Sequence, residues 1–125
     1  MEEEPKDVIV LGAIRSGAKK FDKIVRVTKI KPDELNKILE KLEGRGLIEV
    51  KEKKGFFGPK VELNTTEKGS REIDERIHEL QEEWSQMVTL YKTGDKKKLK
   101  EYMDERRSFF PTMMYFGIID MMMFS

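Results

Sequence analysis

The sequence predicts a mainly α protein with a small β hairpin: short helices in helix-turn-helix order, the hairpin, then long C-terminal helices. Three patterns carry that reading. Residues 32–43 set Leu35, Ile38, Leu39 and Leu42 at three- and four-residue spacing, one stripe on a helix, and run into Gly44 and Gly46. Residues 47–64 alternate apolar and polar side chains on either side of KKGFFGP, whose glycines and proline make a turn. Residues 73–91 place Ile73, Ile77, Leu80, Trp84, Met87 and Tyr91 on a heptad seam.

Composition narrows the function classes. A chain of 125 residues suits one compact domain with an appendage. The absence of cysteine excludes thiol catalysis, disulfides and thiolate metal sites, and fits a reducing, cytoplasmic setting. The acidic opening shows no secretory or transit leader. Net charge is only +1, but residues 15–60 hold 14 Lys and Arg against 7 Asp and Glu, whereas residues 71–125 hold 9 against 11. A basic front of this kind suits contact with phosphate.

Taken in order, residues 8–14 are apolar enough for a strand or a helix, and a first helix packing Ile9, Ala13, Leu11 and Ile14 inward is favoured. The following GAIRSGAKK is not a phosphate-binding loop of the Walker type, because Gly17 is followed by Ala18 before Lys19 and Lys20. Phe21, Ile24, Val25 and Thr28 form a second short helical stripe, and a tight turn at residues 29–31 leads to Pro32, which fits a first helical position. Asp33 and Glu34 then sit where the helix dipole favours negative charge. The third helix thereby gains a core face and an outer face bearing Asn36, Lys37, Glu40 and Lys41. Residues 53–59 are expected to form an extended hairpin tip, with Lys53, Lys54 and Lys60 as its bases and Phe56 and Phe57 as apolar bulk.

The run ILEKLEGRGLIEV, a basic hairpin and then LNTTEKG resembles the winged helix-turn-helix of the MarR and PadR groups of transcription regulators. In those proteins a helix ending in LExxGLI precedes the wing, and an LTxxG-like step opens the next helix. The likeness covers about residues 7–71. It implies a winged helix-turn-helix domain over residues 1–69 and a helical dimerisation or interaction extension over residues 70–125.

Thr65 or Thr66 can cap the long fourth helix. Its seam of Ile73, Ile77, Leu80, Trp84, Met87 and Tyr91 argues for helix-on-helix packing, with a second subunit favoured over the chain's own following helix. Residues 93–95 break the helix, and Asp95 can cap another carrying Leu99, Tyr102 and Met103. The tail, residues 109–125, holds 5 of the 8 methionines and 5 of the 11 aromatics. As one helix it would be about 24 Å long, too short for a bilayer core. Three uses stay open for it: a buried packing segment, a groove for a hydrophobic small-molecule effector, or a docking surface for a protein or membrane face.

Catalysis has little to stand on. His78 is the only histidine, with Glu82 one helical turn away, and two ligands on an exposed helix make a weak metal site. Glu82-Glu83 and Asp104-Glu105 are adjacent on helices and do not converge. No enzyme, metal or cofactor is therefore expected. The expected function is a homodimeric, sequence-specific DNA-binding regulator. Asn36, Lys37 and Lys41 would meet a major groove, Lys31 the entry to that helix, and Lys53, Lys54 and Lys60 the neighbouring backbone. The competing expectation is a protein-interaction module that uses the apolar tail and binds no DNA.

Overall fold

The computed structural model describes residues 5–55 and 58–119. It is mainly helical with one two-stranded antiparallel sheet, in the order α1 (Pro5–Arg15), α2 (Phe21–Thr28), α3 (Pro32–Gly44), β1 (Ile48–Gly55), β2 (Gly58–Thr65), α4 (Glu67–Lys92), α5 (Lys96–Glu105) and α6 (Phe110–Tyr115). A 3-10 turn, Arg107–Phe109, precedes α6. The chain divides into two compact units, the first ending at Asp74 and the second beginning at Glu75.

In the first unit α1 is the central element. It touches α2, α3 and β2, so Val8, Val10, Leu11, Ala13 and Ile14 are all buried, while Ile9 is half-buried. Burial on nearly every side explains why this segment has no clear helical stripe. Helix α2 buries Ile24 and ends at Lys29, which takes the left-handed conformation (φ 59°) while its N–H donates to the Val25 carbonyl at 2.8 Å. Ile30, also buried, and Lys31 then lead into α3 with Pro32 in its first turn.

Helix α3 buries Leu35, Ile38 and Leu42 and leaves Leu39 half-buried. Its stop is a Schellman motif. Gly46 sits at φ 73°, the Leu47 N–H donates to the Leu42 carbonyl at 2.9 Å, and the Gly46 N–H donates to the Glu43 carbonyl at 2.9 Å. Leu47 is buried as the chain turns into β1.

The hairpin pairs Ile48 with Thr65 and continues residue for residue to Gly55 opposite Gly58. Lys53, Lys54 and Gly55, expected in an extended tip, are instead paired strand residues opposite Lys60, Pro59 and Gly58. Gly58 takes φ 122°, and a Cβ on Gly55 would lie 2.8 Å from the Gly58 carbonyl oxygen. Phe56 and Phe57, the expected apolar tip, lie outside the described residues. The far edge of β2 is also engaged, because the Leu63 N–H donates to the Lys19 carbonyl in the α1–α2 loop at 2.8 Å.

Thr66 is the cap of α4. Its Oγ1 accepts from the Gly69 N–H at 3.0 Å and donates to the Gly46 carbonyl at 2.6 Å. Gly69 is required sterically, since a Cβ there would stand 2.0 Å from the Leu47 carbonyl oxygen. The same junction holds Arg45 to Glu72 at 3.3 Å, Lys68 Nζ to the Arg45 carbonyl at 3.0 Å, and Arg15 to Asp74.

The second unit is built on Leu80, Met87 and Met113, with Trp84, Leu99, Tyr102, Met103, Phe109, Phe110, Ile118 and Ile119 packed around them. The Arg106 guanidinium lies 3.5 Å over the Tyr102 ring and that of Arg76 lies 4.2 Å over Phe109. Two expectations change here. Leu80, Trp84 and Met87 of the seam, expected to meet a second subunit, pack against α5 and the tail of the same chain. The tail is also not one long helix. Helix α6 ends at Tyr115, Gly117 takes φ 69°, and the Ile118 N–H returns to the Met113 carbonyl at 2.8 Å. Residues 120–125, the rest of the expected tail, lie outside the described residues. Among the described residues no helix is long and apolar enough to cross a membrane.

Candidate nucleic-acid interface

The outer face of α3 exposes Asn36, Lys37 and Glu40, and Lys31 is exposed just before the helix. The acids at its start are divided. Asp33 is exposed, while Glu34 is engaged by Lys6 at 2.8 Å. Lys41 departs from expectation. Its Nζ lies 2.6 Å from Oδ2 of Asp7, a carboxylate only 1% exposed in α1. A buried charge needs a partner, so Lys41 serves the α1–α3 contact before it can serve a ligand.

Strand register sorts the hairpin lysines. Residues directly opposite share a face, and successive residues alternate. Lys51, Glu62, Lys53 and Lys60 therefore stand on one face with Glu49, and Lys54 stands on the other with Ile48, Val50, Val61 and Leu63. The second face is buried at its base, at Ile48 and Leu63, and opens outward to Val50 at 45% and Val61 at 52% exposure. The three predicted hairpin bases thus do not act from one side.

The first face carries three lysines and two carboxylates, Glu49 and Glu62. Lys53 Nζ lies 3.2 Å from Glu62 Oε2, and Lys60 is directly across from Lys53. The Glu62 carboxyl is held below its ordinary value of 4.5, mainly by the Lys53 hydrogen bond, against the opposing effect of burial, and further by the charges of Lys53, Lys19 and Lys20. Lys19 and Lys20 were not among the expected contacts. Their only sequence signal is a lysine pair in the loop that fails as a Walker motif; the Leu63–Lys19 backbone bond that sets the loop beside β2 has no sequence signature. The arrangement offers a polyanion several lysines from two chain segments, with Lys51 already paired to Glu49 at 3.3 Å.

His78 Nε2 lies 3.6 Å from Glu82 Oε1, with both side chains more than 70% exposed. Among the described residues no group of three or more histidine or acidic side chains is placed to hold a metal ion. No family model matches the chain, and no curated protein matches it. The likeness to the MarR and PadR groups rests on the sequence runs quoted above alone.

Proposed function

We propose that the chain is a DNA-binding transcription regulator with a winged helix-turn-helix reading head, acting as a homodimer. In this reading α3 enters a major groove with Asn36 and Lys37, and the hairpin follows the adjacent backbone with Lys53 and Lys60. The observation that carries it is the convergence of Lys19, Lys20, Lys53 and Lys60 on the charged hairpin face, beside an element order of three helices and a hairpin. Lys41 drops out of the reading set because Asp7 holds it. The homodimer no longer draws on Leu80 and Met87, which the chain covers itself.

Binding of duplex DNA across a salt series tests the reading. Replacing Lys37, Lys53 and Lys60 together with Ala should flatten the slope of log affinity against log salt by about 2 to 3 for each bound protomer, at about 0.9 for each phosphate that is no longer neutralised. An affinity that ignores salt, or that survives this triple change intact, overturns it. Sedimentation reads the dimer directly, and a mass of one chain, 14.7 kDa, would remove it.

A second reading, a protein-binding module, is favoured by Val50 and Val61, an exposed apolar continuation of a buried sheet face. It takes over if duplex DNA is not bound at all and Val61→Lys changes the protein's assembly state.

A further inference from the structure

Helix α5 begins against the usual electrostatic rule. The positive end of a helix dipole favours acids and disfavours cations. Yet Lys96, Lys97 and Lys98 occupy the first turn of α5, which has no acidic residue. Asp95, the cap just before it, spends one carboxylate oxygen on the Lys98 N–H at 3.1 Å. Lys92 ends α4 just upstream and Lys100 follows one turn on, so residues 92–100 carry five lysines against Asp95 alone. All five lysines are exposed.

Four of the five have no ion-pair partner among the described residues, as is also true of Lys19, Lys20, Lys37 and Lys60 in the first unit. Lys6, Lys41, Lys51 and Lys53 each have a carboxylate within 3.3 Å. Of the five around the α4–α5 turn, only Lys98 has one within 4 Å among the described residues, and that is Asp95 at 3.9 Å. The cluster is therefore held close together by a short turn, against its own repulsion and the helix dipole; Glu101 and Asp104 follow it on α5, but neither has an ion pair to these lysines among the described residues. Such a patch fits a dense line of negative charge. A bilayer fits less well. The apolar side of α5, Leu99, Tyr102 and Met103, is packed on the Leu80–Met87–Met113 core, so α5 lacks the free apolar face with which an amphipathic helix enters lipid.

We propose that Lys92, Lys96, Lys97 and Lys100 form a second contact for nucleic-acid phosphates, carried by the second unit and indifferent to base sequence. The inference rests on the DNA-binding reading and extends it. The helical extension contributes affinity and salt dependence, while α3 contributes base preference.

The test uses the full chain and a variant with Lys92→Gln, Lys96→Gln, Lys97→Gln and Lys100→Gln. Glutamine keeps much of the side-chain length and the helix propensity but removes the charge. Because the first turn of α5 is relieved of unfavourable charge, the variant should melt at or above the parent temperature. Binding is followed by anisotropy on two unrelated duplexes of roughly 40 base pairs, about four helical turns, across a salt series. The expected result is a salt slope lower by about 2 to 4 for each bound protomer, with affinity reduced by the same factor on both duplexes. Their relative preference should be retained. Two outcomes overturn the inference while leaving the DNA-binding reading in place: an unchanged slope in the variant, or a loss confined to vesicles of phosphatidylserine and phosphatidylcholine. A parent that binds neither duplex in a salt-dependent way overturns both.

Discussion

Helices α3 and α4 carry the same kind of apolar stripe, but they are covered by different partners. In α3 the stripe of Leu35, Ile38 and Leu42 is buried within a unit where α1 and β1 contact the helix, and its outer face is left to Asn36 and Lys37. In α4 the part of the seam at Leu80, Trp84 and Met87 is covered by side chains that arrive after the Gly94 turn, from α5 and the tail. Periodicity states that a face is covered and how wide it is. It does not state whether the cover belongs to the same chain.

Core truncations give the largest effect that bears on this contrast. Leu42→Ala and Leu80→Ala each remove a fully buried leucine and should each cost about 2–5 kcal/mol in denaturant unfolding. Neither should change the mass seen in sedimentation. A shift from dimer to monomer on Leu80→Ala would mean that the seam is shared between chains and would break the contrast.

Two glycines give a smaller and sharper effect. Gly69→Ala would place its Cβ 2.0 Å from the Leu47 carbonyl oxygen, where only backbone movement makes room, and should destabilise by about 1–3 kcal/mol despite the better helix former. Gly44→Ala, at the last residue of α3, meets nothing within 4 Å and should be neutral or stabilising by up to about 1 kcal/mol. Equal melting temperatures for the two variants would show that α4 does not approach Leu47 this closely.

The smallest effect concerns the charged hairpin face. The lowered pKa of Glu62 means that its ionised form stabilises the folded chain above the ordinary carboxylate value of 4.5, and this contribution is lost as pH falls through the lower folded value. The difference in melting temperature between parent and Glu62→Gln should therefore be present at neutral pH and vanish in acid. In DNA binding the same change should raise affinity, because Lys19, Lys20 and Lys53 lose the carboxylate that partly neutralises them. A variant that binds DNA more weakly would take this face out of the interface.

Local pattern made much of the fold legible. Leu35, Ile38 and Leu42, the glycine stop, the Thr66 and Asp95 caps and the hairpin all depend on neighbours within a turn or two of chain, and the structure forms each of them. The site was less legible. Lys41 looked like an outward base, but a buried Asp7 more than thirty positions away claims it. Lys54 looked like a partner of Lys53, but the pleat sets them on opposite faces. Lys19 and Lys20 joined the hairpin only through a backbone bond to β2.

By itself, then, the sequence determined the stripe and stop of α3, the caps of α4 and α5, the hairpin, and that the basic excess lies in the first half, because spacing, caps and charge are local or additive quantities. Tertiary structure decided which lysines share a face, which are spent on buried acids, and that α5 and the tail fill part of the α4 seam. Those outcomes depend on pairings between distant residues, and a one-dimensional pattern does not encode the distance between them.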